Sequence, residues 1–228
     1  LSVEVEPGHG WDLELGRSGH ALRDEVLARL QHKGFHALPF YPSFVGGDGP
    51  DSGLAVGVGS PRYSTSYWAA RNRFGALVET HSWQEYPRRV AATRETIHAM
   101  VELAARDGKK WLEAAHAADE RACLLGGKPV PLSFKNTDAV QTVDLRGYEY
   151  TREASAVSGQ TWIRYDSTKP TVWRLPLKYE VQPALTVTAP ATGYFVPRAH
   201  AAWSSAKLAL HGIEFQRVIA RQPASAVH

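Results

Sequence analysis

Two residues of this 228-residue chain stand out for the chemistry their types and spacing would support. Glu79 closes the apolar run Phe74-Gly-Ala-Leu-Val78, and His81 lies two positions further on. A short continuous apolar run reads as a strand buried on both faces of a parallel or mixed sheet. Open α/β sheets gather their ligand-binding residues at the carboxyl ends of such strands. A carboxylate held there is a candidate general base. In an extended segment His81 would share its face, which offers an acid–base pair or two ligands of a metal site. A zinc site needs three protein ligands and supporting partners, so the pair alone is too few. The plainer reading makes Glu79 a surface carboxylate, or one paired with Arg71 or Arg73.

Arg62, Tyr63, Tyr67, Arg71 and Arg73 crowd the segment just before this strand. A guanidinium fork suits a substrate carboxylate, and a phenol can close over it or donate to a developing oxyanion. A tyrosine-rich loop stiffened by arginine stacking is the structural alternative. Other chemistries find less support. Ten histidines contain no H-x-x-E, H-E-x-x-H or H-x-H pattern, and the single cysteine rules out a multi-cysteine zinc site. Cys123 sits among Ala and Leu and reads as a buried small hydrophobe. No G-x-S-x-G is present, and Gly57-Val-Gly59 lacks the third glycine and the helix that a dinucleotide site requires.

The elements that must position these residues read as α/β up to about residue 127. Leu1–Glu6 alternates as a strand does. Leu22, Val26, Leu27 and Leu30 give one helix face over His20–Lys33, with Gly34 as the stop. Phe35–Phe40 reads as a short strand, followed by a glycine-rich loop from Tyr41 to about Ser60. Such a length of loop is more often functional than idle. A helix spans Tyr86–Arg106, with Pro87 in its first turn and Val90, Ile97, Met100 and Val101 on its apolar face. Asp107-Gly108 breaks it, and a second helix runs from Lys109 to Leu125, ending at Gly126-Gly127. From residue 128 the texture is that of an antiparallel β module. Its strands are expected at Pro131–Phe134, Val140–Tyr150, Thr161–Tyr165, Val172–Val181 and Leu185–Ala189. One helix follows at Arg198–Leu210, then a strand at Ile213–Ile219. The module's aromatics, Trp162 and Trp173 among them, read chiefly as core and cross-strand pairs, with a sugar- or peptide-binding face as the other use.

Charge is mild and uneven. Residues 1–127 hold 14 Lys+Arg against 16 Asp+Glu, and residues 128–228 hold 12 against 7, within a net +3. The basic residues of the second half are scattered singly, which excludes the stripe that nucleic-acid binding requires. No apolar run reaches the roughly 20 residues of a membrane span. Leu1–Glu6 is strand-like and not a leader peptide, and a chain opening in mid-strand reads as part of a longer one.

The stretch Pro61-Arg-Tyr-Ser-Thr-Ser-Tyr-Trp-Ala-Ala-Arg-Asn-Arg-Phe-Gly-Ala-Leu-Val-Glu-Thr-His81, with the Tyr-Pro-Arg-Arg-Val helix start after it, resembles the last catalytic strand of bacterial zinc carboxypeptidases of the carboxypeptidase A-like family. Gly193-Tyr-Phe-Val-Pro197, a Trp-bearing helix and Leu210-His-Gly-Ile213 resemble the module that follows that domain in many bacterial members. The resemblance implies a catalytic-domain portion over 1–127, a β-rich module over 128–228, and a peptide or amide substrate cleaved near a free carboxylate. It implies zinc as cofactor, Glu79 as general base, Tyr67 or Tyr63 as the tyrosine that closes over substrate, and an exported location. The family's H-x-x-E zinc pair is absent from this sequence. A degenerate homologue that binds peptide or glycan without cleaving it is the alternative.

Overall fold

The computed structural model describes residues 1–9, 12–46, 49–82 and 84–218. In chain order the elements are β1 (Ser2–Glu6), α1 (Leu13–His32), β2 (Leu38–Pro39), β3 (Leu54–Ala55), α2 (Ser64–Ala70), β4 (Gly75–Glu79), α3 (Tyr86–Ala122), β5 (Pro129–Asn136), β6 (Val140–Ala154), β7 (Thr161–Lys178), β8 (Val181–Thr188) and α4 (Arg198–Leu210). Parallel and antiparallel pairs are mixed, and the fold is α/β.

The first sheet has the order β2-β1-β4. β1 runs parallel to β2 and antiparallel to β4, with Glu79 opposite Ser2 and Gly75 opposite Glu6. Val3 and Val5 of β1 meet Leu22, Val26 and Leu30 of α1 and Ala99 and Leu103 of α3 in the main core. Each large side chain buried this fully contributes about 1.5–3 kcal/mol. α1 starts a full two turns before His20. Asp12 caps it, its Oδ1 accepting from the amides of Glu14 at 3.2 Å and Leu15 at 2.9 Å. The extra turns carry Gly16 and Gly19, which lack apolar side chains but let Pro7 approach; a Cβ on Gly19 would lie 2.0 Å from the Pro7 carbonyl oxygen. The helix ends at Gly34, as its position predicts, with Phe35 N–H bonded to Leu30 O and Gly34 N–H to Gln31 O.

α3 is one helix of 37 residues and does not break at Asp107-Gly108. A lone helical glycine costs only about 1 kcal/mol. The turns around it are held by Leu103 and Trp111 in the core and by Arg106, which grips both oxygens of Glu25 on α1 at 2.8 and 2.7 Å. The packed face also differs from expectation. Ala92, Thr96, Ala99 and Leu103 are buried, while Val90, Ile97 and Val101 are about half exposed. The helix is apolar on two sides, and the side with small residues is the one that lets α1 come close. Cys123 caps the end of α3 and is exposed, contrary to the buried role expected of it, because the packed face stops at Ala118.

In the β-rich part, β6 and β7 form a long antiparallel hairpin and β5 pairs antiparallel with β8. β7 is one strand where two were expected. The turn signal Asp166–Pro170 is a bulge inside it: Glu149 faces Asp166 while Tyr148 faces Pro170. Asp166 Oδ1 accepts from the Thr168 amide and hydroxyl and closes the bulge locally. β3, from the glycine-rich segment, pairs parallel with Leu177–Lys178 of β7, and Leu54 and Val56 pack on Leu175 and Leu177. Pairing therefore runs across residue 127.

Two compact units part after Ala189. In the second, Pro190–His228, α4 ends at Gly212 with Ile213 N–H bonded to Leu208 O and Gly212 N–H to Ala209 O. Residues 213–218 form no strand, in place of the one expected over Ile213–Ile219; Ile219 lies outside the described residues.

Candidate functional site

Glu79 closes β4 at the edge of its sheet and is exposed. The expected burial on both faces is therefore corrected. β4 has a strand neighbour on one side among the described residues, and a continuous apolar run does not distinguish an edge from a centre. Nor does the parallel-strand argument carry over, because β4 is antiparallel to β1 and its carboxyl end lies at the amino end of β1. No hydrogen bond or ion pair joins the Glu79 carboxylate to another described residue, so the expected alternative of a pair with Arg71 or Arg73 is also absent. Arg73 instead holds Asp119 of α3, at 3.1 and 2.8 Å.

The segment before β4 is helical where a loop was expected. Tyr63 caps α2, and Tyr67 and Arg71 follow at successive turns, with amide-to-carbonyl bonds of 2.8 and 3.2 Å linking the three. The spacing puts all three on one face. Thr65, Ser66 and Ala69 are buried on the other; Thr65 packs over Gly75 and donates to Glu4 at 2.8 Å. Burial raises the Glu4 carboxyl above its ordinary value. Tyr63 accepts from Arg62 at 2.6 Å, with the guanidinium 4.7 Å above its ring. The structure thus gathers Tyr63, Tyr67 and Arg71 together, and none of them lines either cavity beyond Glu79.

The first of those cavities is a cleft of about 190 Å³ lined by Thr80, His81, His36, Arg88, Arg89 and Arg146, with Asp144 at its side and Phe35, Ala92 and Leu145 as its apolar floor. His81 leaves the strand and enters this cleft instead of sharing a face with Glu79. Its Nε2 lies 3.3 Å from the Tyr41 hydroxyl. Burial, with a smaller push from the α-amino group of Leu1, lowers His81 to about 4, and burial raises Tyr41 to about 12. The pair is therefore uncharged at neutral pH. The second cavity is a shallow groove of about 600 Å³ along α3, lined by Tyr86, Val90, Thr93 and Ile97 among others. Thr80 and Arg89 line both, so cleft and groove are continuous.

The cleft's cations differ from those that tie other elements to α3. Arg29, Arg73, Arg106 and Arg121 are each bound to a carboxylate within 3.1 Å. Arg88, Arg89 and Arg146 have no carboxylate partner among the described residues. Arg89 is half-buried, and its Nε is buried without a hydrogen-bond partner. Burial first, then the charges of Arg146 and Arg88, lowers His36.

Zinc, which the resemblance implies, does not fit the described residues. No group of three His, Cys, Asp or Glu side chains among them converges on a metal position. The nearest set is Glu6, His9 and His20 at the far end of β1. Glu6 accepts from the Gly8 amide at 2.6 Å and the His9 amide at 3.3 Å, and contacts His9 Nδ1 at 3.0 Å. Only the two Nε2 atoms remain without partners, short of the three protein ligands zinc takes. Comparison with protein families, curated proteins and solved structures finds no match to this chain.

His36, Arg88, Arg89 and Arg146 carry no signal that spacing would detect. They come from a loop, the first turn of α3 and the middle of β6, and only the packing of the hairpin against the sheet's end assembles them. The Arg88-Arg89 pair beside the Glu79 strand is visible in the sequence; its third partner, 57 positions on, is not.

Proposed function

We propose that this chain is part of a zinc-carboxypeptidase-like protein that acts on a peptide or amide bond near a free carboxylate, with Glu79 as the general base. The observation that supports it most is the placement of Glu79: an exposed carboxylate with no partner among the described residues, directly before the two residues, Thr80 and His81, that enter a cationic cleft. A carboxylate so placed is free to take a proton from water and hand it to a leaving amine. Tyr63, Tyr67 and Arg71, on one face of α2, are the substrate-binding side chains of this reading. On this reading the zinc ligands come from outside the described residues.

A second reading is favoured by the missing ligand set: a homologue that binds peptide without cleaving it. A hydrolysis assay separates the two. The 228-residue chain supplied with zinc is expected to release no amino acid from an N-blocked dipeptide. The intact gene product is expected to release it, and Glu79→Gln to lower kcat by about a thousandfold or more, on the scale of losing an essential catalytic group. An intact product that is inactive with zinc, or whose activity survives Glu79→Gln, overturns hydrolysis in favour of binding.

A further inference from the structure

We propose that the second unit, Pro190–His228, binds the surface of an anionic phospholipid membrane through α4, which lies along the lipid headgroups without crossing the bilayer. None of its residues takes part in the chemistry proposed above. α4 has no buried residue, and its partly covered side is formed by Ser204, Ser205 and Leu208. On another side Ala199, Ala202, Trp203, Ala206, Ala209 and Leu210 recur at the three- and four-residue steps of one helix face. All six are exposed, Trp203 by 61% and Leu210 by 78%. Tyr194 and Phe195, just before the helix, are 84% and 69% exposed. Apolar surface left in water gains free energy on entering an apolar medium.

Charge decides which medium. Lys207 lies four residues after Trp203 and three before Leu210, on one margin of the exposed face, and Arg198 lies four before Ala202 on the other. α4 has no acidic residue. Leu1–Ala189 carries 22 basic and 22 acidic side chains, whereas Pro190–His228 carries four and one, so the whole net +3 belongs to the unit with the exposed face. Cations at such margins keep their heads in water while their stems lie along apolar surface. Trp and Tyr are the aromatic residues that favour the headgroup level.

A helix with an apolar face and cationic margins lies in the plane of a lipid interface. The 13 residues of α4 rise about 20 Å, short of the roughly 30 Å hydrocarbon core, so it does not span. A groove in a protein is the competing occupant, and it takes large anchors repeated at i, i+4 and i+7. On this face of α4 the large groups are Trp203 and Leu210, with alanine between them, and Tyr194 and Phe195 precede the helix altogether. A lipid surface requires no such register.

Co-sedimentation of the purified chain with sucrose-loaded vesicles tests this, using phosphatidylcholine alone and phosphatidylcholine mixed with phosphatidylglycerol. Each cation near an anionic surface adds about fivefold to the partition constant, so the mixed vesicles are expected to be preferred by about tenfold or more. The preference is expected to fall below about threefold in the double variant Arg198→Gln/Lys207→Gln, and also in about 1 M salt, where the screening length is about 3 Å. Trp203→Ser combined with Leu210→Ser is expected to weaken binding to the mixed vesicles by about tenfold or more. Val157→Ser, in the exposed turn between β6 and β7, is expected to leave it unchanged. All the substituted side chains are exposed, so the fold persists, which thermal melting by circular dichroism verifies. Equal binding to the two vesicles, no binding to either, or binding that survives the loss of Trp203 and Leu210 overturns the proposal. So does a mass above the monomer by light scattering that the Trp203/Leu210 variant abolishes while vesicles go unbound, which would assign the face to a second copy of the chain.

Discussion

The layer formed by β1, α1 and α3 and the hairpin formed by β6 and β7 use the same amino acids to opposite ends. In β1, four of five residues are buried, and the layer is closed by side chains from both helices. In β7, eighteen residues long, only Leu175 and Leu177 are buried, both at the base where β3 joins. Further out the hairpin relies on cross-strand and neighbouring aromatic pairs, Tyr150 with Tyr165 and both with Trp173 at about 6 Å, and on Asp51, which accepts from Tyr150 and Arg152. Stability therefore resides in the first region, and the second is a ribbon buried at its base and tied near its tip through Asp51. The cationic cleft lies where the two meet: Arg88 and Arg89 from the rigid layer, Arg146 from the ribbon.

The contrast is broken most directly at Gly19. A Cβ there meets backbone, the Pro7 carbonyl, with no side chain able to move aside. Gly19→Ala is expected to destabilise the whole protein by about 3 kcal/mol, at the upper end of overpacking costs, despite the better helix propensity of alanine. Urea denaturation followed by far-UV circular dichroism measures it. An unchanged midpoint would mean that α1 and the turn after β1 are not packed as described, and the rigid half of the comparison would be lost.

The same glycine shows why part of the fold is legible in the sequence and part is not. Leu22, Val26 and Leu30 repeat at helical spacing, so the second half of α1 is readable. Gly16 and Gly19 occupy the same face in the first half, where the requirement is closeness, and a pattern of apolar residues has nothing to register. α3 fails differently: Val90, Ile97 and Val101 make the stronger stripe by hydrophobicity, yet the small residues Ala92, Thr96 and Ala99 win the interior because α1 must approach them. At the site, Glu79 is readable because a charge ends an apolar run. Its exposure is not readable, because edge and central strands share that pattern. Tyr63, Tyr67 and Arg71 are legible as a cluster, and their helix is not. Arg146 is not legible at all, since its place in the cleft depends on how a hairpin packs against a distant part of the chain.

His81 tests the junction itself. Its folded value of about 4 lies below the ordinary 6.5, so the unfolded chain takes up the proton first as pH falls. Stability is complete above about 6.5 and is lost on acidification toward about 4, amounting to about 2 kcal/mol for a partly buried group. Comparing urea midpoints at pH 7 and pH 4.5 in the wild type and in His81→Gln isolates this contribution from the carboxylates. A variant whose pH dependence matches the wild type would show that the hairpin does not shelter the imidazole, and that the two regions do not close over the cleft.

The smallest effect is expected in the ribbon. Gly147 on β6 lies beneath the Trp173 indole, and a Cβ there would approach the ring atoms to 2.4–2.5 Å. The obstacle resembles that at Gly19 in distance but not in kind, because Trp173 is a side chain in a region whose outer face is open to solvent. The indole can tilt, and alanine recovers part of the cost by suiting a strand better than glycine. Gly147→Ala is expected to cost about 1 kcal/mol, with a shift in tryptophan fluorescence and little change in the amide protection of β1 and α1 by hydrogen exchange. If instead it lowers global stability as much as Gly19→Ala and strips protection from β1, the hairpin is part of the same cooperative core. Arg146 would then be as firmly placed as Arg89.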